Sequence, residues 1–212
     1  SLVGEKLSGS NNIVDLENPE VKYKVYRLED EIVVSKVIED INRGLFEKRK
    51  NQERPFSSPV SLNPVIARAL VNIAGLEAGE HILDPFCGTA GILIEAGLCG
   101  IGVHGLDMQG EMVEGSRENL EEFGIINHDI REGDVKNIEE IFDLSLFDGV
   151  VTDLPYGRAS KTSEDFKTAF LDLTDKIDGK TVFMYNEEDF KGLKPEAEIY
   201  MHKNLSRYVY II

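Results

Sequence analysis

Residues 80–107, EHILDPFCGTAGILIEAGLCGIGVHGLD, have the pattern of a strand, a helix and a second strand. An apolar run through Leu83 predicts a strand, and the glycines of CGTAG predict a tight turn into a helix over 89–98. A second apolar run at 102–106 ends at Asp107. Two strands joined by a helix form a βαβ unit, which places the strands parallel in one sheet.

A helix is predicted immediately before this unit. Asn63 and Pro64 provide an N-cap and a proline at the first helical position, and Gly75 ends the pattern. The apolar residues expected to form its buried face are Val65, Ile66, Ala69, Leu70 and Ile73. This is the pattern of a surface helix.

The alternation of helices and strands continues downstream. The predicted elements are a helix over 109–123, a strand near 126–130, a weak helix near 137–142, a strand at 147–152, a helix over 163–177 and a strand at 181–185. AEIYMH and RYVYII then predict an antiparallel hairpin that closes one edge. The predicted fold is α/β, with a mostly parallel seven-stranded sheet, helices on both faces and a C-terminal antiparallel hairpin.

The N-terminal region has a different pattern. VKYKVY at 21–26 and IVVSKV at 32–37 flank the acidic turn LEDE and predict a β-hairpin. We therefore divide the chain into a partial α+β segment and linker at 1–53 and the larger domain at 54–212.

Composition narrows the functional classes. The chain has 212 residues, a formal net charge of −16 and 42% hydrophobic residues. No run approaches the roughly 18 apolar residues of a membrane span, and no signal-peptide pattern is present, so we expect a cytoplasmic protein without a membrane partner. The spacing of the two cysteines predicts no metal site.

One basic cluster interrupts this acidic chain. Its members are Arg43, Lys48, Arg49, Lys50 and Arg54. Such a cluster is either a solvated charge run or a nucleic-acid contact, and the sequence leaves both interpretations open.

The carboxyl ends of the strands indicate a ligand site, because ligands bind there in open α/β sheets. Gly88 and Gly91 allow close approach of the backbone, and Asp107 follows Gly88 by 19 residues. At that distance Asp107 is placed to accept from ribose hydroxyls or to cap the next helix. Asp134 is placed to accept from an adenine amine or to form an ordinary turn. The glycine turn and Asp107 together predict an adenosine-containing ligand, whereas the missing GxGxxG motif disfavours a nicotinamide oxidoreductase.

Two short motifs resemble those of known enzymes. DPFCGTAG resembles the first motif of class I S-adenosylmethionine-dependent methyltransferases, and TDLPYG at 152–157 resembles the (D/N)-P-P-(Y/F) motif of amino-methyltransferases. The second resemblance implies that the Asp153 carboxylate and the Leu154 carbonyl accept from an exocyclic amine. Pro155 would fix the backbone and Tyr156 would stack on the base. Leu154 departs from the motif, which has proline there.

Longer stretches resemble one family, the archaeal tRNA guanine-10 N2-methyltransferases with their eukaryotic relatives. They are RPFSSPVSLNPVIARALVNIAG, DPFCGTAGILIEAGL, TDLPYGRAS and MHKNLSRYV. The resemblance implies methyl transfer from S-adenosylmethionine to the N2 amine of a guanine in tRNA. It also implies that residues 1–53 are a truncated part of a THUMP domain, which engages the tRNA acceptor end, and that Arg158 lies near the RNA.

The resemblance also implies a set of cofactor contacts. They are Phe56, Pro59, Asp84, Phe86, Gly88, Thr89, Gly91, Asp107, Met108, Asp134 and Val135. The alternatives are methylation of adenine N6, of a different guanine or of another base amine in RNA or DNA, and a non-catalytic RNA-binding module on the same fold. The sequence leaves open the nucleotide position, mono- or dimethylation, the oligomeric state, and whether this chain alone binds tRNA or is active.

Overall fold

The computed structural model divides the chain into two compact units, 1–44 and 45–212, and each is considered by itself. The structure describes residues 15, 17–59, 61–155, 163–202 and 205–212. No helix within these ranges is long and apolar enough to cross a membrane.

The first unit contains the predicted hairpin. Strand β1 (Tyr23–Arg27) pairs antiparallel with β2 (Ile32–Lys36), so that Val25 lies opposite Val34. The N–H of Leu28 donates to the Glu31 carbonyl at 2.9 Å and closes the turn. The short helix α1 (Gly44–Glu47) begins at the boundary of the two units.

The second unit is built on a seven-stranded sheet. Its strands are β3 (His81–Asp84), β4 (Gly102–Asp107), β5 (His128–Glu132), β6 (Gly149–Asp153), β7 (Lys180–Tyr185), β8 (Ala197–His202) and β9 (Leu205–Ile211). They lie in the order β5-β4-β3-β6-β7-β9-β8. The first five in this order are parallel, while β9 is antiparallel to both β7 and β8. The predicted fold class is confirmed, with β9 inserted between β7 and the edge strand β8.

Helices cover both faces of this sheet. They are α2 (Pro64–Ala74), α3 (Gly91–Gly97), α4 (Gly110–Glu122), α5 (Ile138–Ile141) and α6 (Ser163–Thr174). Successive strand residues point to opposite faces, so Ile82 packs in the cluster formed with α2, α3 and α4, and Leu83 packs in the cluster formed with α6. The two buried clusters fix the position of the strand ends between them.

Helix α2 confirms the predicted cap and corrects the predicted face. Asn63 accepts from the N–H of Val65 at 2.9 Å. The buried face includes Ala67, Leu70, Val71 and Ala74, whereas Val65 is 54% exposed and Ile73 38% exposed. The two small alanines let the helix approach its neighbours closely, so this face is buried in preference to the one with larger side chains.

The second unit begins at Leu45, ahead of the boundary predicted at residue 54. Within this added stretch, Arg49 binds the buried carboxylate of Glu95 in α3 at 2.6 Å. Part of the basic cluster is therefore a structural contact.

Candidate active site

A cavity of about 380 Å³ lies where the loops after β3, β4, β5 and β6 meet. Its lining consists of Ser58, Pro85, Phe86, Gly88, Thr89, Asp107, Met108, Gln109, Met112, Asp134, Val135, Lys136, Asp153, Leu154, Pro155 and Phe166. The volume falls in the range of small-molecule sites, roughly 300–1,000 Å³. Four strand ends thus converge on one site, as the topology predicts.

Asp84 joins the ends of β3 and β6. Its Oδ1 accepts from the Thr152 hydroxyl at 2.6 Å and from the N–H of Phe86 at 3.1 Å. The side chain is 2% exposed, and burial raises the pKa of Asp84 to about 7. Asp84 therefore holds the two neighbouring strand ends together from beneath the cavity.

Asp107 connects the glycine turn to the loop after β4. Its Oδ2 accepts from the N–H of Gly88 at 3.0 Å, and its Oδ1 accepts from the N–H of Gln109 at 2.9 Å. Gly88 has a φ of 52°, which lies in the left-handed region that glycine adopts without strain. Burial raises the pKa of Asp107 while the two N–H donors oppose the rise. The carboxylate thus organises the turn and still faces the cavity.

The loop after β5 contributes a second carboxylate. Asp134 accepts from the N–H of Lys136 at 3.0 Å and caps the short 3-10 turn at Val135–Asn137. Asp134 and the buried Val135 both line the cavity. The ordinary turn, one of the two roles predicted for Asp134, is therefore present. Asp134 also lies at the cavity wall.

The end of β6 is held by an arginine that the sequence analysis did not assign. Arg207 of β9 is 2% exposed, forms an ion pair with Asp153 Oδ1 and donates from Nη2 to the Leu154 carbonyl at 3.3 Å. The N–H of Leu154 donates to the Met184 carbonyl at 2.9 Å. Burial lowers the pKa of Arg207 to about 10. The alternation of residues along β9 could have indicated the burial of Arg207, because Arg207 lies on the same inward side of the strand as the apolar Val209.

Most of the predicted site residues line this cavity. Those that do are Phe86, Gly88, Thr89, Asp107, Met108, Asp134, Val135, Asp153, Leu154 and Pro155. Phe56, Pro59, Asp84 and Gly91 do not. Tyr156 and Arg158 lie outside the described residues. The lining also includes residues that the sequence analysis missed, namely Ser58, Pro85, Gln109, Met112, Lys136 and Phe166.

Phe56 packs against helix α4 instead of lining the cavity. Its N–H donates to Asn119 Oδ1 at 3.0 Å, and its carbonyl accepts from Asn119 Nδ2 at 2.9 Å. Its ring lies against Gly115, where a Cβ atom would come within 2.1 Å of the ring. Asn119 Nδ2 also donates to the Thr89 carbonyl at 3.1 Å. Phe56 is thereby tied to the glycine turn through α4.

We call residues 49–59 and Ser61 the covering segment, because they fold over the glycine turn. Within it, Asn51 Nδ2 donates to the Ser58 carbonyl at 2.8 Å. The Ser61 hydroxyl lies 2.9 Å from the Thr89 hydroxyl. These contacts bring Ser58 to the cavity wall.

Comparison with known families agrees with this geometry. The family described as "RMKL-like, methyltransferase domain" matches residues 51–189. The chain belongs to this family. The methyltransferase domain is therefore the unit that carries the cavity, and the family predicted from the motifs is confirmed.

Two archaeal relatives match nearly the whole chain. A protein of Pyrococcus abyssi named tRNA (guanine(10)-N2)-dimethyltransferase is 35% identical over 225 aligned positions, which cover 100% of this chain and 67% of that protein. The protein of the same name from Methanothermobacter thermautotrophicus is 36% identical, with 94% of this chain and 63% of that protein covered. The chain thus spans about two thirds of the length of these relatives.

A solved structure shows the same fold. The crystal structure of TrmN from Thermus thermophilus matches with a TM-score of 0.63 and 21% identity, covering 99% of this chain and 64% of that one. At this identity the likeness concerns the fold of the methyltransferase domain.

Proposed function

We propose that this domain transfers a methyl group from S-adenosylmethionine to the exocyclic N2 amine of a guanine in tRNA. The observation that carries the proposal is the convergence of the Asp107 turn and the Asp153 turn on one cavity. The names of the archaeal relatives support guanine N2 as the acceptor and tRNA as the substrate.

The lining of the cavity fits this cofactor. Asp107 and Asp134 offer carboxylate oxygens to hydroxyl and amine donors, while Met108, Val135 and Phe86 offer apolar surface to a planar ring. When bound, S-adenosylmethionine supplies an electrophilic methyl group on a sulfonium ion. No group of three or more His, Cys, Asp or Glu side chains suited to a metal occurs among the residues that the structure describes.

Asp153 and Leu154 are the residues we propose to hold the amine. An exocyclic amine is a weak nucleophile because its lone pair is delocalised into the ring, so acceptors aimed at its hydrogens favour the reactive geometry. Positive charge develops on the nitrogen as the methyl group is transferred, and an ionised Asp153 stabilises that charge. Arg207 forms an ion pair with Oδ1 of this carboxylate, and we propose that Oδ2 accepts from the substrate amine.

The remaining contacts with RNA are also proposals. We infer that Tyr156 stacks on the base and that Arg158 contacts the RNA. We infer as well that residues 1–53 belong to a THUMP-type segment that binds tRNA, on the resemblance of this region to the last part of such a domain. The cytoplasmic location stays a prediction, and it agrees with a tRNA substrate.

The experiment that tests this function is mass spectrometry of nucleosides from tRNA incubated with the protein and S-adenosylmethionine. We expect N2-methylguanosine or N2,N2-dimethylguanosine. A matched tRNA with inosine at the modified position lacks the N2 amine and should stay unmethylated. Methyl groups on adenine N6, or no methylated guanosine, would contradict the proposal.

A further inference from the structure

Arg54 places a buried guanidinium group next to the cavity wall. The residue is 5% exposed, its Nε donates to the Arg49 carbonyl at 2.8 Å, and its Nη1 donates to the Thr89 hydroxyl at 3.4 Å. Its Nη2 is buried and has no hydrogen-bond partner within the described ranges. A buried donor left unpaired costs about 1–3 kcal/mol, and more when it is charged, so this atom is suited to an acceptor.

The surroundings of Arg54 carry an excess of positive charge. The carboxylate that faces it belongs to Glu95, which is fully buried. Both oxygens of Glu95 already bind other arginines, at 2.6 Å and 3.1 Å from Arg49 and at 3.0 Å from Arg68. The carboxylate near Arg54 is therefore already paired with two other guanidinium groups, in a poorly solvated region. Such a cluster stabilises an additional anion nearby.

The anion would approach from the cavity. Thr89 lines the cavity on one side and accepts from Arg54 on the other. At Gly91, beside Thr89, a Cβ atom would come within 3.4 Å of Arg54 Nη1, so the guanidinium lies directly against the backbone of the turn. Ser58 and Ser61 add hydroxyl groups around the same wall.

The two ends of the cavity differ in charge. Asp107 and Asp134 make one part acidic, whereas Arg54 makes the wall at Thr89 positive. S-adenosylmethionine has one anionic group, the carboxylate of its amino-acid part. We propose that Arg54 and Thr89 form an anion subsite that recognises this carboxylate. The inference rests on the proposed use of S-adenosylmethionine by this domain.

The test compares two probes that differ by the carboxylate alone, S-adenosylmethionine and decarboxylated S-adenosylmethionine, by isothermal titration calorimetry. Arg54→Met should lower the affinity for S-adenosylmethionine about 10- to 100-fold, the range expected for a charge-assisted hydrogen bond. It should change the affinity for the decarboxylated probe by less than about threefold.

Two further variants control for structure. Arg68→Met removes a second partner of Glu95 without touching Thr89, and should preserve the preference for the carboxylated probe. Arg54→Lys keeps a buried cation but loses the planar guanidinium group. This variant should fold even if Arg54→Met unfolds, and it should recover part of the preference for the carboxylated probe.

The outcomes separate this inference from the proposed function. A wild-type protein that binds neither probe would refute the cofactor assignment, and the subsite with it. The subsite alone would be refuted by a different result. In that case the wild-type protein binds S-adenosylmethionine, and both Arg54 variants lose affinity equally for the two probes.

Discussion

Arg207 in β9 forms an ion pair with Asp153 at the end of β6, and the same guanidinium donates to the Leu154 carbonyl. Both groups that we propose to hold the substrate amine are therefore bonded to one buried side chain. Arg207 reaches them from the antiparallel strand two positions away from β6 in the sheet. Arg207 is a positioning residue, since it acts through Asp153 and Leu154.

We predict that Arg207→Gln lowers the rate of methyl transfer about 100-fold or more, because the carboxylate loses both its orientation and its counter-charge. A neighbouring guanidinium group favours the charged form of a carboxylate, so its removal should move the acid limb of the pH–rate profile upward. The measurement is single-turnover transfer across a pH series. A lower rate with an unchanged profile would indicate a merely structural role.

A second prediction concerns Asp107. Asp107→Ala removes the acceptor of the Gly88 and Gln109 N–H groups together with the oxygens offered to a ribose. We expect about tenfold weaker binding of S-adenosylhomocysteine in calorimetry. Glu132→Gln is the matched control, because Glu132 pairs with Asp107 in the adjacent strand, is exposed and does not line the cavity. An unaltered dissociation constant for Asp107→Ala would assign this residue to the turn alone.

The contact of Phe56 with α4 gives a third prediction. Gly115→Ala would normally stabilise a helix, but here the added Cβ comes within 2.1 Å of the Phe56 ring, whose backbone is fixed by Asn119. We expect a net loss of about 1–3 kcal/mol in the free energy of unfolding, as for overpacked cores. Chemical denaturation measures it, and Glu118→Ala, on the exposed face of α4, serves as the control. A more stable Gly115→Ala variant would show that the covering segment does not pack there.

The raised pKa of Asp84 predicts that the free energy of unfolding depends on pH. Burial raises the pKa of Asp84 from its ordinary value of 3.8 to about 7, so the folded state binds this proton more tightly than the unfolded state. The contribution of Asp84 is present at low pH and is lost as pH rises from about 4 to about 7. The free energy of unfolding of the wild type minus that of Asp84→Asn should therefore fall across this window and level off above it.

Asp143→Asn provides a control for Asp84→Asn, because the pKa of Asp143 is shifted in the opposite direction. Hydrogen bonds from Ser145 lower the pKa of Asp143, so its contribution is lost as pH falls below the ordinary value of 3.8. Denaturant melts at several pH values measure both variants. A flat difference between wild type and Asp84→Asn from pH 4 to pH 7 would contradict the burial of a titrating carboxyl group.

The sequence predicted the parts of the structure that depend on local pattern. Apolar runs, the Asn63 cap and the glycine turn placed the strands and helices, and the rule for parallel sheets placed Asp107 and Asp153 at one edge. The packed face of α2 was missed because Ala67 and Ala74 are small, and their burial depends on the sheet beneath them.

Local sequence patterns could not predict the polar contacts between residues that are distant in the chain. The pairing of Arg207 with Asp153 joins positions that are distant in the chain, and the covering segment has no periodicity to indicate that it folds over Thr89. The pairing of Arg49 with Glu95 likewise joins a residue of the predicted linker to helix α3. Each depends on the sheet order, which brings the partners together only in the folded protein.

We propose a role for Asp153 in holding the substrate amine, in a cavity whose cofactor is held by other residues. Its most direct test measures two quantities in Asp153→Ala, the single-turnover rate of methyl transfer to tRNA and the affinity for S-adenosylhomocysteine. We predict a rate lower by about 1,000-fold or more with an affinity within about threefold of wild type. Transfer at the wild-type rate, or loss of cofactor binding equal to the loss of rate, would contradict the claim.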